Sequence, residues 1–171
     1  KKGSKFTSVE SVKGSVMLLV DPASTSGSLI PESVFGGKVV KMPLKQYFGK
    51  QAFSGGHDLS TIAVFDGKAD AAFVATHRFM NAVDGSKGKM KVDDFNILWT
   101  SPLIPRDPLV WRKDLPSDLK KKIQDFAVAY GKDDREKEIL KNLYRLKGFK
   151  ASTDAQLLPI RQLELFKERK K

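Results

Sequence analysis

Three neighbouring hydroxyl side chains are the first residues in this sequence that could bind a ligand. Ser24, Thr25 and Ser26 stand between the apolar run 16–20 and Gly27. A helix that begins there would offer unpaired backbone N–H groups and the positive end of its dipole. With Gly27 allowing close approach to the backbone, such a helix start can hold a phosphate-like anion without lysine. An ordinary N-cap in a serine-rich loop explains the same residues, so both interpretations stay open.

Two further side chains have positions that favour ligand binding. His57 follows two glycines and precedes an apolar pattern with helical spacing, so it would lie near a helix N-terminus and could donate to an oxyanion. A structural histidine remains the alternative. Asp107 lies between Pro105 and Pro108, which hold it rigidly, and it could accept from an ammonium or hydroxyl group of a ligand. A turn-forming aspartate is the competing explanation.

The sequence offers little support for catalysis. Its two histidines are His57 and His77, and neither a Ser–His–Asp order nor a metal-ligand spacing is found. The absence of cysteine excludes disulfides and thiolate nucleophiles. The stretch 24–27 also lacks the pattern of a nucleotide-binding loop. We therefore expect a binding protein that has no catalytic residues, no metal and no cofactor.

The charge balance allows a nucleic-acid partner, but the arrangement of the charges does not favour one. The formal net charge is +11 in 171 residues. The lysines are scattered, and basic residues do not alternate with aromatic ones as on a single-strand binding surface. A solvated basic surface that attracts small anions is the simpler interpretation. No stretch approaches the roughly 20 apolar residues of a membrane span.

The hydrophobic pattern predicts alternating strands and helices. We expect strands at 15–20, 69–75, 95–100 and 109–112, and helices that start near residues 24, 57, 79, 115, 139 and 160. Such alternation indicates an α/β fold with a largely parallel sheet. Three prolines in the segment 102–108 favour an extended connector and place a lobe boundary there.

Several long motifs, in order along the chain, resemble the phosphonate-binding proteins of phosphate/phosphite/phosphonate ABC transporters. That family has a type II periplasmic binding protein fold, in which two lobes close on the ligand. The resemblance covers nearly the whole chain and is carried by the segments 6–14, 21–27, 54–58, 67–72, 99–105, 107–113, 151–154 and 156–163.

The resemblance implies one complete lobe and part of another. Residues 1–105 would form the second ligand-binding lobe, and 106–171 the crossover and the C-terminal return to the first lobe. The N-terminal portion of that first lobe is expected to be missing, which would leave apolar surface exposed in 109–171. By the same resemblance, Ser24, Thr25, Ser26 and His57 bind the phosphonate oxygens, and Asp107 contacts an amino group of the ligand.

One position departs from the pattern of aminoalkylphosphonate binders. His77 stands where such proteins are expected to place a second acid, and a histidine cannot replace a carboxylate as an ammonium partner. An alkylphosphonate, phosphite or a ligand with its own negative tail then becomes plausible, with His77 facing the ligand. The alternative is that His77 only lines the edge of the lobe.

The resemblance also implies the partners and the location of the protein. The function expected is capture of a phosphorus oxyanion between two lobes and delivery to the permease of an ABC importer. The location would be the periplasm or another extracytoplasmic site, with a lipid anchor as one option. A phosphite- or phosphate-specific protein of the same family, or a phosphonate-processing enzyme that uses His57, remains an alternative.

Overall fold

The computed structural model describes residues 1–168 and divides the chain into two compact units. One unit contains Lys1–Ile104 together with the chain from Pro159 onward, and the other contains Pro105–Leu158. The division falls within the proline-rich connector. The assignment of residues 1–105 and 106–171 to two ligand-binding lobes stays a prediction.

A three-stranded parallel sheet lies at the centre of the first unit. Its strands are β1 (Val16–Leu19), β2 (Lys50–Phe53) and β3 (Ala71–Ala72), in the order β2-β1-β3. β1 pairs with β2 from Val16↔Lys50 to Leu19↔Phe53, and with β3 through Met17↔Ala71 and Leu18↔Ala72. The apolar run therefore forms the middle strand, and the predicted α/β fold with a parallel sheet is confirmed.

Helices follow each of the three strands. The helix after β1 is π-helical over Thr25–Leu29 and Pro31–Val39, and Ile30 joins the two parts with α-helical backbone angles; we call it the π helix. The α-helices of this unit are α1 (Leu44–Tyr47), α2 (His57–Phe65) and α3 (Thr76–Gly85). Short 3-10 turns lie at Glu10–Val12 and Val92–Asp94. The sequence pattern indicated the start of the π helix but missed its second half and α1.

The core of the first unit is built around an aromatic cluster. Phe35 of the π helix is 3% exposed. Its ring packs edge-on against Tyr47, Phe73 and Trp99 at centroid distances of 6.0, 5.0 and 5.2 Å. Met17 and Leu19 of β1 belong to the same cluster. Burial of these side chains anchors the π helix on the sheet and so places the loop that precedes it.

The second unit is a pair of helices with little interior. It contains α4 (Ser117–Ala129), α5 (Asp134–Tyr144) and a 3-10 turn (Asp154–Leu157). The helix α6 (Leu158–Glu168) begins at the last residue of this unit. Of the side chains that the structure describes between Pro105 and Leu158, Leu140 alone is a buried hydrophobic one. The expected exposed apolar surface is confirmed, and it includes Leu109, Val110, Phe126, Ile139 and Leu143.

Three of the predicted strands differ from the structure. The strand predicted at 69–75 is reduced to Ala71–Ala72. Residues 95–100 and 109–112 form no strand. Phe95 instead packs its ring on Phe79, and Trp99 packs on Phe35. The apolar pattern of 95–100 reflects ring packing in an extended segment, whereas the apolar side chains of 109–112 are exposed. Neither segment is a strand, because a strand also needs a neighbour for its backbone hydrogen bonds.

Candidate functional site

The predicted binding residues of the first unit lie at the starts of the helices that follow its three strands. Ser24 comes after β1, His57 after β2, and Ala75 precedes α3 after β3. Because the strands are parallel, their carboxyl ends share one edge of the sheet, and the helices that follow begin there. Open α/β sheets commonly bind ligands at this edge.

His57 joins these loops through hydrogen bonds of its ring. Its Nδ1 accepts from the backbone N–H of Ala75 at 3.0 Å, and its Nε2 lies 3.2 Å from Ser26 Oγ. Since Nδ1 accepts, the proton of the neutral ring must be on Nε2, which then donates to Ser26. The hydroxyl hydrogen of Ser26 consequently remains available to a further acceptor.

The surroundings of His57 favour its neutral form. Its side chain is half-buried, and burial lowers the pKa of His57 below its ordinary value of 6.5. The charges of Arg78 and His77 lower this pKa further, while Asp58 raises it. Protonation of Nδ1 would also put two donors face to face, because Ala75 N–H already points at that atom. His57 is therefore a neutral hydrogen-bonding group near pH 7.

Ser24 caps the π helix. Its Oγ accepts from Gly27 N–H at 3.0 Å, and its carbonyl oxygen accepts from the N–H groups of Ser28 and Leu29. Thr25 and Ser26 form the first turn and are half-buried. The N-cap interpretation of Ser24 is thus confirmed. It does not exclude ligand binding, because the hydroxyl hydrogen of Ser24 is not used in the cap.

Gly27 is required for packing, whereas the sequence suggested that it allows a ligand to approach the backbone. A Cβ at this residue would run into Cβ and Cγ2 of Val20. Gly27 also accepts a hydrogen bond from Val20 N–H at 3.1 Å. Close packing between the end of β1 and the π helix requires glycine here, so ligand approach is not needed to explain it.

The loop before His57 is held by two hydroxyl groups, those of Ser54 and Ser60, which are not among the predicted site residues. Ser54 Oγ lies 2.7 Å from Ser60 Oγ and donates to the carbonyl of Gly56 at 2.9 Å. Gly55 adopts φ +81°, which glycine tolerates best. Ser54 and Ser60 are six residues apart across a strand-to-helix turn. This spacing was the feature of the sequence that could have indicated their contact. They orient the loop that presents His57.

The remaining predicted residues differ in where they lie. His77 is in the first turn of α3, close enough to His57 for its charge to lower the pKa of that ring. Arg78, its neighbour in sequence, does so more strongly and was missed by the sequence analysis. Asp107 belongs to the second unit, where it is exposed in the segment between the two units' regular elements.

Within residues 1–168, no group of three or more histidine and acidic side chains is placed to hold a metal ion. Among the helices that the structure describes, none has the length and apolar character to cross a membrane.

Comparison with known proteins identifies relatives of the chain. Residues 1–157 match the family described as the periplasmic substrate-binding protein of phosphonate ABC transporters. The phosphonates-binding periplasmic protein of Escherichia coli (strain K12) is 41% identical over 149 residues, which is 86% of this chain and 42% of that protein. The chain therefore spans less than half the length of this relative.

Solved structures agree with this match. A binding protein component of an ABC phosphonate transporter from Pseudomonas aeruginosa superposes with a TM-score of 0.79 at 35% identity, over 98% of this chain and 55% of that one. A protein of Xanthomonas citri bound to chloride shares the fold alone, with a TM-score of 0.68 at 15% identity over 99% of this chain and 63% of its own. The chain belongs to the family of periplasmic substrate-binding proteins of phosphonate ABC transporters.

Proposed function

We propose that this chain forms the oxyanion-binding part of a solute-binding protein that delivers a phosphonate or a related phosphorus oxyanion to an ABC importer. The observation that carries the proposal is the placement of His57, whose ring joins Ser26 of the π helix to the backbone before α3. This contact gathers hydroxyl groups and helix starts from three loops at one edge of the sheet. The family and its relatives support the same role.

The chemistry of the proposed site depends on neutral donors. The hydroxyls of Ser24, Thr25 and Ser26 stand at the start of the π helix, where the helix dipole favours negative charge. Hydrogen bonds from such donors to an anion are worth about 1.5–3 kcal/mol each. His57 orients Ser26 and, because it is neutral, does so without contributing a full charge. The oxyanion exchanges its water for these fixed dipoles.

Binding rather than catalysis is the activity we infer. Family members are binding proteins. Both ring nitrogens of His57 are already engaged, one as an acceptor and one as a donor. A general base needs a free lone pair within reach of the proton that it removes. A phosphonate-processing enzyme would therefore have to break the contact with Ala75 first. Release of inorganic phosphate from a phosphonate would contradict the inference.

The partners and location follow from the family. We infer an extracytoplasmic protein that binds its ligand between two lobes and docks on the permease of the importer when closed. Asp107 stays a predicted ligand contact on the resemblance alone. Phosphite and inorganic phosphate remain the alternative ligands, because the proposed donors recognise a tetrahedral oxyanion and not its carbon substituent.

The test is a double substitution at the helix start. Ser24→Ala with Thr25→Ala, made in the complete protein, should weaken methylphosphonate binding by more than about 100-fold, since it removes two donors. Isothermal titration calorimetry with methylphosphonate, phosphite and phosphate would measure this and rank the three ligands.

A matched control is available in the second unit. Ser152→Ala with Thr153→Ala removes the same pair of hydroxyls from a segment outside the proposed site, and should leave the affinity as it was. Unchanged binding in the 24/25 variant would contradict the proposed function.

A further inference from the structure

The hydrogen bonds within the proposed site determine what its hydroxyl groups can offer a ligand. Ser24 Oγ accepts from Gly27 N–H at 3.0 Å, so the hydrogen of this hydroxyl is left to donate. Ser26 Oγ accepts from Nε2–H of His57 at 3.2 Å, because Nδ1 of the same ring accepts from Ala75 N–H. The hydrogen of the Ser26 hydroxyl is therefore also left to donate. Each of these oxygens receives one hydrogen bond from the protein and offers one to a ligand.

The backbone groups at this edge of the sheet are donors as well. The first turn of a helix has N–H groups without an intrahelical partner, and Thr25 lies in the first turn of the π helix. The N-cap residues of α2 and α3 are Gly56 and Ala75, and neither caps its helix with a side chain. Helix carbonyls point away from an N-terminus, so they offer no acceptor here.

Acidic side chains in the loops after the three strands are directed to other tasks or to solvent. Asp21 and Asp58 are the acids in these loops and in the first turns that follow, and both are exposed. Asp21 Oδ1 accepts from Ala23 N–H at 2.8 Å, which ties this carboxylate to its own turn. Asp58 Oδ1 occupies the space that a Cβ at Gly56 would need. The hydroxyls of the π helix therefore lie in a site built from donors.

We propose that this site binds only oxyanions whose oxygens carry no proton, so that it discriminates against inorganic phosphate and, of the two alternative ligands, favours phosphite. The inference rests on the proposed function, because it takes Ser24, Thr25 and Ser26 as the donors to the oxyanion. A phosphonate or phosphite dianion presents three oxygens that all accept. Hydrogen phosphate has the same charge, but its protonated oxygen would face groups that donate. A donor buried without an acceptor weakens binding, so the proton acts against the wrong ligand.

Sulfate and phosphate form a matched pair for the test. Both are tetrahedral dianions at about pH 8, above the second pKa of phosphate, and they differ in a single proton. In calorimetric titrations of the complete protein, we expect sulfate to bind at least about tenfold more tightly than phosphate, because phosphate brings one unpaired donor. Equal affinities, or tighter binding of phosphate, would overturn the proposal.

Methylphosphonate supplies a second test, because it loses its own second proton near neutral pH. If only the dianion binds, the affinity should fall about tenfold for each pH unit below the second pKa of the ligand. Titrations between about pH 6.5 and pH 9 cover a range in which His57 stays neutral, since burial lowers the pKa of His57 below 6.5. Sulfate keeps its charge over this range and reports any titration of the protein, including that of Asp58, His77 and Arg78 near the ring. A constant affinity for methylphosphonate would overturn the proposal.

A reversed polarity at Ser26 tests where the discrimination originates. In His57→Glu, the new carboxylate can only accept, so the Ser26 hydroxyl donates to residue 57 and presents its oxygen to the ligand. The preference for sulfate over phosphate should then shrink, although both anions bind more weakly beside the added charge. His57→Gln, whose amide oxygen can accept from the same hydroxyl without adding charge, should shrink the preference too. Thermal unfolding establishes that each variant is folded, and an unchanged preference in both folded variants would overturn the proposal.

Three acids could accept the proton of phosphate instead, and each can be removed. The variants are Asp21→Asn, Asp58→Asn and Asp107→Asn. If one of them lowers the affinity for phosphate without lowering that for sulfate, the acid is an acceptor and the proposal is overturned. Failure of the complete protein to bind methylphosphonate, phosphite, phosphate or sulfate would overturn the proposed function itself. Binding of phosphate together with exclusion of sulfate would overturn only the inference about the proton.

Discussion

The two compact units of this chain differ in how many hydrophobic side chains they bury. The unit that contains the sheet packs Phe35 and its aromatic neighbours into an interior and uses that interior to hold three loops at one edge. In the described part of Pro105–Leu158, the helices share one buried hydrophobic side chain, Leu140, while Phe126 is 67% exposed. A binding site needs rigid supports, and only the first unit supplies them from within itself.

Removal of a core ring should produce the largest difference between the units. Phe35→Ala is expected to lower the free energy of unfolding by about 3–5 kcal/mol, because it deletes a buried ring from the centre of the cluster. Phe126→Ala, which removes an exposed ring from α4, should cost less than about 1 kcal/mol. Urea unfolding of the complete protein measures both. Equal losses would mean that Phe126 is buried in the complete protein. The difference between the two units would then hold only for this chain.

Disruption of the close contact between β1 and the π helix should produce the second-largest loss of stability. Gly27→Ala should cost about 1–3 kcal/mol, since the new methyl group meets Val20. Gly85→Ala is the matched control: a Cβ there meets no atom within 4 Å, so stability should change by less than about 1 kcal/mol. Thermal or urea unfolding distinguishes the two. If Gly27→Ala does not reduce stability, packing does not require glycine here, and close approach of a ligand becomes the explanation for it.

N-cap residues test whether the first unit combines stability with binding. Ser24 caps the π helix through Gly27 N–H, and Asp133 caps α5 through Glu136 N–H at 2.8 Å. Replacement of either by alanine should cost about 1 kcal/mol of stability. Methylphosphonate affinity should fall only in Ser24→Ala. If affinity survives that change, Ser24 is a cap and nothing more.

The smallest effect expected is a pH dependence that originates at His57. Burial lowers the pKa of His57 in the folded protein, so the unfolded state binds more protons than the folded state once the pH falls below 6.5. The contribution of neutral His57 to stability should therefore be fully present above pH 6.5 and be lost as the pH falls from 6.5 through the lowered pKa of His57. His57→Gln should flatten the stability curve in this window. An unchanged slope would place the titrating group elsewhere.

Local pattern was sufficient for the parts of the site that depend on neighbouring residues. The order of strand, hydroxyl-rich turn and helix at residues 16–29 follows from side-chain type and spacing, and so does the helix start at His57. The same reasoning failed at 95–100 and 109–112, where an apolar extended segment was taken for a strand. A strand forms only when its backbone hydrogen-bonds to a neighbouring strand, and the hydrophobic pattern of one segment does not show whether such a neighbour exists.

The sequence by itself identified the candidate donors, which are three hydroxyls and a histidine after two glycines. Only the tertiary structure decided how they act. It placed Ala75 against His57 and so assigned the ring proton to Nε2, brought Arg78 and His77 near that ring, and made Gly27 a packing requirement. These contacts join residues up to 31 positions apart, as between Ser26 and His57. They exist because parallel strands bring distant loops to one edge of the sheet, which no local pattern encodes.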